Sequence, residues 1–303
     1  RPPRGVDVPM PELQLLGPEL THLLRRGERS VLGLARRLRG RVPSQVQVTE
    51  VPLKSTVGYR LKARVWRPSG GGDKSPALVL LGDGDSGLTA AEDARAPLTA
   101  PELAGQGWVV LALDLAGRGD SLGEDDHGGA EHADDVRCAV RWLAEQPEVD
   151  ADRIGLLGLG LGGRIAIAGA AAGASVAWVL DWEGPMDRET LLSLNPEAAL
   201  GVDDDTWWSD RDTLSQLARL RCGYVRLQSE DDHLNPEELR HAQRALFTLS
   251  HSQRSPSAWF QINDHPRGEA PARPQWLPGG QLMARRALLR KLGRLSSERR
   301  PLA

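Results

Sequence analysis

The stretch DRIGLLGLGLGGRIAIAGAAA, from Asp152 to Ala172, decides the fold. Its first half is a short apolar run typical of a buried strand, and the part after Leu161 predicts a buried helix. Four glycines lie between them in Gly158-Leu159-Gly160-Leu161-Gly162-Gly163. A strand, a tight glycine turn and a helix form a unit that α/β proteins use to hold ligands or reactive groups. This turn therefore predicts a functional site, whose kind depends on the rest of the chain.

Apolar strands alternate with helices through most of the sequence. The predicted strands are ALVLL, WVVLALDL, RIGLLG, SVAWVLDW, CGYVRLQ and SAWFQI, and the predicted helices include 101–106, 130–146, 161–172, 236–249 and 281–295. This alternation predicts a mostly parallel sheet that is covered by helices on both faces. Two earlier runs, Gln45–Leu53 and Tyr59–Trp66, alternate with period two and predict an antiparallel pair at one edge.

Length and charge limit the classes of function. The chain has 303 residues, 40% of them hydrophobic, and a net charge of −3, which predicts one large α/β domain over residues 45–303. This charge does not favour a nucleic-acid partner. No apolar run approaches the ~20 residues that a transmembrane helix needs. The sequence begins at Arg1 rather than Met, which favours an exported mature chain over a cytoplasmic one.

Two segments interrupt the α/β pattern. Residues 1–44 are rich in arginine and proline around ELTHLLRRGERSVLGLARRLRG, which predicts a helical extension that packs on the domain or docks on a partner or a membrane surface. Residues 185–219 contain DDDTWWSD and predict a small cap. In it, Trp207 and Trp208 either line a pocket or pack within the cap.

One interpretation of the glycine turn is a dinucleotide-binding fingerprint. Gly158, Gly160 and Gly163 match G-x-G-x-x-G, and Asp181 ends the next strand, where an acid would bind the adenine ribose. Against this, at least two core strands precede the turn. The sequence after Asp181 also shows no second mononucleotide-binding half.

The other interpretation takes Gly160 as the centre of a G-x-nucleophile-x-G turn. Further motifs then follow in a consistent order. They are Leu81-Gly82-Asp83 after the first buried strand, LDLAGRGDSLGE after the next one, LQSEDDHLNP with Asp232, and WFQINDHPRGE with His265.

These motifs, in this order, resemble the α/β-hydrolase superfamily, and most of all its acetyl-xylan-esterase, dienelactone-hydrolase and prolyl-oligopeptidase-like branch. RVWRP and VDADRIGLLG are typical of that branch, and the resemblance extends from Gln45 to the C-terminus. It implies an α/β-hydrolase fold with a mostly parallel central sheet and an antiparallel N-terminal edge. It also implies that Asp232 orients His265 as general base, and that the backbone N–H groups of Asp83 and Leu161 bind the oxyanion.

Three residues depart from the family pattern. Gly160 replaces the nucleophile, Leu159 the polar residue before it, and Leu81 the histidine of the oxyanion loop. Together they favour natural loss of catalysis over a single designed substitution. The sequence therefore predicts a pseudohydrolase that binds a protein partner or a small acyl or sugar ligand. The alternatives are an esterase or peptidase-type serine hydrolase altered at position 160, and the dinucleotide-binding protein.

Other reactive residue types are expected to be structural. Ser121 lies in a G-x-S-x-G pattern, but in a loop beyond a strand end, so we expect it not to be catalytic. Cys138 and Cys222 are expected to be inert buried thiols. No cofactor and no metal site are expected, because the histidines lack metal-ligand spacing. Five histidines are expected in solvated helices or loops: His127, His132, His233, His241 and His251.

Overall fold

An eight-stranded sheet forms the centre of the molecule. The computed structural model describes residues 46–70, 73–82, 87–194, 205–230, 239–252, 258–263, 265, 267, 277 and 281–301. The strands are β1 (Val46–Lys54), β2 (Arg60–Pro68), β3 (Ser75–Leu81), β4 (Val109–Leu113), β5 (Val149–Leu159), β6 (Trp178–Trp182), β7 (Gly223–Leu227) and β8 (Phe260–Ile262). Their order is β1-β2-β4-β3-β5-β6-β7-β8. The pairs β1–β2 and β2–β4 are antiparallel and the others are parallel.

Helices connect the strands. In the described part of the chain they are α1 (Gly87–Glu92), α2 (Ala100–Gly105), α3 (Ala130–Ala144), α4 (Leu161–Ala171), α5 (Arg188–Leu194), α6 (Asp205–Asp210), α7 (Thr213–Ala218), α8 (Arg240–His251) and α9 (Gln281–Leu295). None of these helices is both long and apolar enough to cross a membrane.

The sheet separates two hydrophobic clusters. Side chains alternate along a strand, so Val79 and Leu81 of β3 enter one cluster while Leu78 and Leu80 enter the other. Helices α3, α4, α7 and α8 contribute to the first cluster, and α1, α2 and α9 contribute to the second. Both faces of the sheet are thus covered, which explains why its central strands are apolar throughout.

The predicted α/β-hydrolase fold class is confirmed, including its antiparallel edge. One difference is helix α1, in a region where the sequence indicated only a glycine-rich loop. The backbone N–H of Leu88 donates to Asp114 Oδ1 at 3.0 Å, so a contact distant in sequence supports this short helix. Helices α5 to α7 lie between β6 and β7, where the cap was predicted, although residues 195–204 lie outside the described part. The predicted extension over 1–44 also lies outside it.

Candidate functional site

Gly160 lies in the turn between β5 and α4. Its φ is 55° and its ψ is −123°, a sparsely populated backbone region for residues that carry a side chain. Its N–H donates to the carbonyl oxygen of Trp182 at 2.9 Å, and its own carbonyl accepts the Gly163 N–H at 2.9 Å. The turn is thereby fixed to the end of β6 and to the first turn of α4. A side chain at position 160 would hence be held in a strained conformation.

The neighbouring glycines allow the turn to pack tightly. A Cβ atom on Gly162 would lie 2.0 Å from the carbonyl oxygen of Leu81, and one on Gly158 would lie 2.4 Å from the Cα of Gly163. Both contacts are with backbone, which cannot move aside easily. The G-x-G-x-G spacing is therefore required by close packing of β5, α4 and β3, without any bound phosphate.

The dinucleotide interpretation is wrong, because Asp181 cannot reach a ligand. Its side chain is fully buried. It accepts hydrogen bonds from Arg226 Nη1 at 2.5 Å, from the Tyr224 hydroxyl at 2.7 Å and from the Gly184 N–H at 2.9 Å. Asp181 is thus the anion of an internal ion pair and is not a ribose-binding group.

Of the two predicted oxyanion donors, Leu161 lies in the described part of the chain. Leu161 begins α4, so its backbone N–H is at the positive end of that helix. Leu81 ends β3, and Asp83 lies outside the described residues. Leu81, Gly82 and Leu161 help to line a cavity of about 20 Å³ beside the turn. This cavity is far smaller than the several hundred Å³ of typical ligand pockets.

His265 follows β8, near the sheet edge formed by β7 and β8. Its N–H donates to the Ile262 carbonyl at 3.1 Å, and its Nε2 atom is buried with no hydrogen-bond partner in the described part of the chain. A buried imidazole nitrogen without a partner is costly and therefore unusual in a purely structural histidine. Asp232 lies outside the described residues. The acid and base roles of Asp232 and His265 remain predictions.

Ser121 has a structural role, as expected. Its hydroxyl donates to the carbonyl oxygen of Asp114 at 2.5 Å and accepts the Lys62 N–H at 2.8 Å. The carboxylate of Asp114 accepts the Asp120 N–H at 3.0 Å. The motif after β4 thus closes a tight turn and fixes it to β2.

Two buried residues near the candidate site, Glu183 and Asn263, were not predicted from the sequence. Both have positive φ, 55° and 53°, and both are buried at the carboxyl ends of strands. Glu183 Oε1 accepts the Ser229 N–H at 2.8 Å, and Asn263 Oδ1 accepts the Gln228 N–H at 2.9 Å. These bonds connect the ends of β6, β7 and β8, from which the loops with Asp232 and His265 begin. The only sequence signal was an acid directly after a buried strand, in DWEGP.

Trp207 and Trp208 pack in α6. Their rings make an edge contact with a centroid distance of 4.7 Å. The guanidinium groups of Arg211 and Arg188 lie 3.9 Å from the Trp207 ring centroid and 4.5 Å from that of Trp208. The cavity that Trp208 helps to line has a volume of only about 30 Å³. Both rings thus contact arginine side chains in the described part of the chain, and a pocket-lining role for them stays a prediction.

The prediction that the histidines are solvated is wrong for His132 and His241, which are buried. His132 Nε2 lies 2.9 Å from the Ala116 carbonyl, and its Nδ1 accepts the Gly128 N–H at 3.0 Å. Burial lowers the pKa of His132 to about 4. Backbone groups that the sequence does not reveal thus hold this ring in its neutral form. Both cysteines are buried as predicted, and burial raises the pKa of Cys222 to about 12.

The neighbouring Asp135 makes stability depend on pH. Burial raises its pKa to about 7, so between about pH 4 and pH 7 the native state holds a proton that the unfolded chain has released. The free energy of unfolding that Asp135 contributes therefore falls as pH rises through this range. We therefore expect the free energy of unfolding of Asp135→Asn, taken relative to that of the native protein, to increase by about 2 kcal/mol when the pH is raised from about 5 to about 8. Urea unfolding at the two pH values measures this difference.

The free energy of unfolding of the variant must be compared with that of the native protein at each pH, because the titration of His132 changes the stability of both proteins in the opposite direction. Its lowered pKa makes its own contribution fall as pH drops from about 6.5 to about 4, and the Asp135→Asn substitution leaves this unchanged. Equal stability differences at both pH values would contradict the raised pKa, because they would mean that Asp135 is already ionised in the native protein at pH 5.

Sequence comparison finds relatives that match this chain over part of their length. An uncharacterized Pseudomonas aeruginosa protein is 27% identical over 182 residues, covering 59% of this chain and 46% of that protein. A polyketide transferase of a Penicillium species is 32% identical over 130 residues, which cover 40% of this chain and 43% of that protein. An uncharacterized Mycobacterium tuberculosis protein is 34% identical over 133 residues, covering 42% and 44%. Each match thus spans less than half the length of the relative.

Solved structures share the fold. A puromycin-hydrolyzing peptidase of Mycobacterium tuberculosis is similar with a TM-score of 0.64 at 15% identity, over 85% of this chain and 40% of that one. A Pyrococcus furiosus esterase is similar with a TM-score of 0.54 at 19% identity, over 73% of this chain and 84% of that one. The family described as X-Pro dipeptidyl-peptidase (S15 family) matches residues 58–267, which is more than half of the chain. The chain therefore belongs to the S15 peptidase family and has its α/β-hydrolase fold.

Proposed function

We propose that this protein is a pseudohydrolase, which uses an S15-type hydrolase scaffold to bind a ligand or a partner without turning it over. The observation that carries the proposal is Gly160 itself, at φ 55° and ψ −123° between β5 and α4. Hydrolases of this fold place their nucleophile on such a turn between a strand and a helix. Glycine has no side chain with which to form a covalent acyl intermediate.

Glycine is also physically suited to this turn. A residue with a side chain in this backbone conformation is strained by about 1–3 kcal/mol, whereas glycine tolerates positive φ. Loss of the nucleophile and relief of strain therefore accompany each other. Once turnover is no longer selected, the substitution stabilises the fold.

The remaining groups would still bind a carbonyl compound. In this proposal the backbone N–H groups of Leu161 and Asp83 receive an acyl oxygen, while Asp232 and His265 remain as an acid–base pair. The proposed ligands are small acyl or sugar compounds or a protein partner.

The test compares p-nitrophenyl acetate turnover by the native protein and by Gly160→Ser. We expect the native protein to show no turnover above the buffer rate, because position 160 has no nucleophile. A burst of nitrophenol from Gly160→Ser would show that Asp232, His265 and the oxyanion donors are intact. If the folded Gly160→Ser variant is also silent, the site has diverged at more than one position. Turnover by the native protein would contradict the proposal.

The second candidate is an esterase or peptidase whose reaction does not need residue 160. Membership of the S15 family and the fold shared with a peptidase and an esterase favour it. The buried Nε2 of His265 is the group that would activate water directly as a general base. In that case the native protein would hydrolyse p-nitrophenyl acetate without a burst, and His265→Gln would abolish the reaction.

A further inference from the structure

A cavity that is larger than the two described above lies between the β1–β2 turn and the start of α3. Its volume is about 260 Å³, which is sufficient for a short alkyl chain with a polar head. The turn between β4 and α3 contributes Ala116, and the remaining wall comes from two elements. The lining residues are Ser55, Thr56, Val57, Tyr59, Ala116, Ala130, Glu131, Asp134 and Asp135. No residue that we place at the hydrolase site belongs to this wall.

The charged groups in the wall are all acidic. Glu131, Asp134 and Asp135 lie in the first two turns of α3, and no lysine or arginine lines the cavity. Asp134 already has partners, since it accepts the Thr56 N–H at 3.3 Å and a hydrogen bond from Arg137 at 2.9 Å. Glu131 and Asp135 have no ion-pair partner among the described residues. The wall therefore has a negative charge that its own residues compensate only in part.

Asp135 is the unusual member of this group. Only 1% of its surface is exposed, yet one of its oxygens lacks a partner. Oδ2 accepts the Ala116 N–H at 2.8 Å, while the buried Oδ1 has no hydrogen-bond partner in the described part of the chain. A buried carboxyl oxygen without a donor is costly, unless a ligand supplies the donor.

The outer part of the cavity is apolar and aromatic. Val57 is 68% exposed and Tyr59 is 37% exposed, although both are large hydrophobic residues. An aromatic ring next to carboxylates suits an organic cation, because the ring face attracts positive charge while an alkyl stem covers apolar surface. A hydrated inorganic ion would leave Val57 and Tyr59 uncovered.

We propose that this cavity binds the ammonium head and alkyl stem of a primary amine. The head approaches Glu131 and Asp135, and the stem lies along Val57 and Tyr59. An ammonium group supplies three N–H donors, one of which satisfies the carboxyl oxygen of Asp135 after a small side-chain rotation. The site is independent of turnover at Gly160, so it holds whether or not the proposed loss of catalysis is correct.

Binding at this cavity is expected to depend on pH. Burial, together with the nearby charges of Asp134, Glu131 and Asp126, raises the pKa of Asp135 to about 7, although the hydrogen bond from the Ala116 N–H acts in the opposite direction. Tyr59 of the β1–β2 turn lines the same cavity, and Cys138 lies one helical turn after Asp135 in α3, where the charge of Asp135 acts on its thiol. Because a cation favours the ionised carboxylate, binding releases the proton of Asp135. Affinity should therefore rise about tenfold between about pH 6 and pH 8.

Isothermal titration with n-butylammonium tests the proposal. We expect saturable binding that tightens with pH, and a proton release at neutral pH that appears as different heats in phosphate and HEPES buffers, neither of which contains a primary amine. Asp135→Asn should weaken binding and remove the pH dependence. Glu145→Gln is the matched control, because it removes a carboxylate at the exposed C-terminal end of α3 and should leave binding unchanged.

Three results would overturn the proposal. They are the absence of saturable heat at every pH, equal binding of uncharged n-butanol, and equal binding by the Asp135→Asn and native proteins. Glu131→Gln provides a second variant if Asp135→Asn does not fold, since Glu131 is exposed and its substitution should weaken binding without affecting stability.

Discussion

Replacing Asp181 with alanine is expected to destabilise the protein by about 3–5 kcal/mol. The substitution leaves the guanidinium group of Arg226 fully buried without its carboxylate, which now lies 2.5 Å away. It also removes the acceptor of the Tyr224 hydroxyl. Urea unfolding of the two proteins measures the loss. The loss of stability should be large because the Arg226 side chain is buried, so that water does not replace the hydrogen bonds of the missing carboxylate.

The control is Asp152→Ala, which removes a carboxylate paired with Arg300 on the surface. Exposed ion pairs contribute less than about 1 kcal/mol, so this variant should stay close to the native protein. The double variant Asp181→Asn with Arg226→Met should cost less than the sum of its single substitutions, because it removes both charges. Similar losses in Asp181→Ala and Asp152→Ala would mean that the internal ion pair contributes little.

Gly162→Ala is expected to cost about 3 kcal/mol or more, or to prevent folding. Its Cβ would lie 2.0 Å from the carbonyl oxygen of Leu81, so β3 and α4 would have to separate. The expected loss is a loss of folding stability, and it does not depend on any reaction at the site. Thermal unfolding followed by circular dichroism provides the measurement.

Gly293→Ala provides the matched comparison. Gly293 lies in α9 with no atom within 4 Å of an added Cβ, so alanine should stabilise that helix by about 0.5–1 kcal/mol. If both alanine variants unfolded at the same temperature, α4 and β3 would not lie as close together at Gly162 as described above.

The fold was predictable because its signals are local. Short apolar runs such as ALVLL and WVVLAL are typical of central strands, and the period-two pattern from Gln45 to Trp66 identified the antiparallel edge. The C-terminal helix was predicted over 281–295, the range that the structure shows. Helix α1 was missed because it depends on Asp114, a residue distant in sequence.

The candidate site was predictable only in part. The strand–turn–helix position of Gly160 follows from the sequence, because only glycines permit the close packing at Gly158 and Gly162. The buried environments of Asp181 and Asp135 could not be foreseen, since they depend on partners such as Arg226 and Ala116 that pairing of the strands and loops brings close. Glu183 was missed for the same reason, because its partner Ser229 lies beyond the cap.

The most direct test of the central claim is the intact mass of the protein after incubation with a serine-reactive fluorophosphonate. The native chain is expected to keep its mass, because Gly160 offers no hydroxyl and Ser121 is held by Asp114 and Lys62. A stoichiometric adduct on any serine of the folded native chain would contradict it, and would show that a nucleophile other than residue 160 is active.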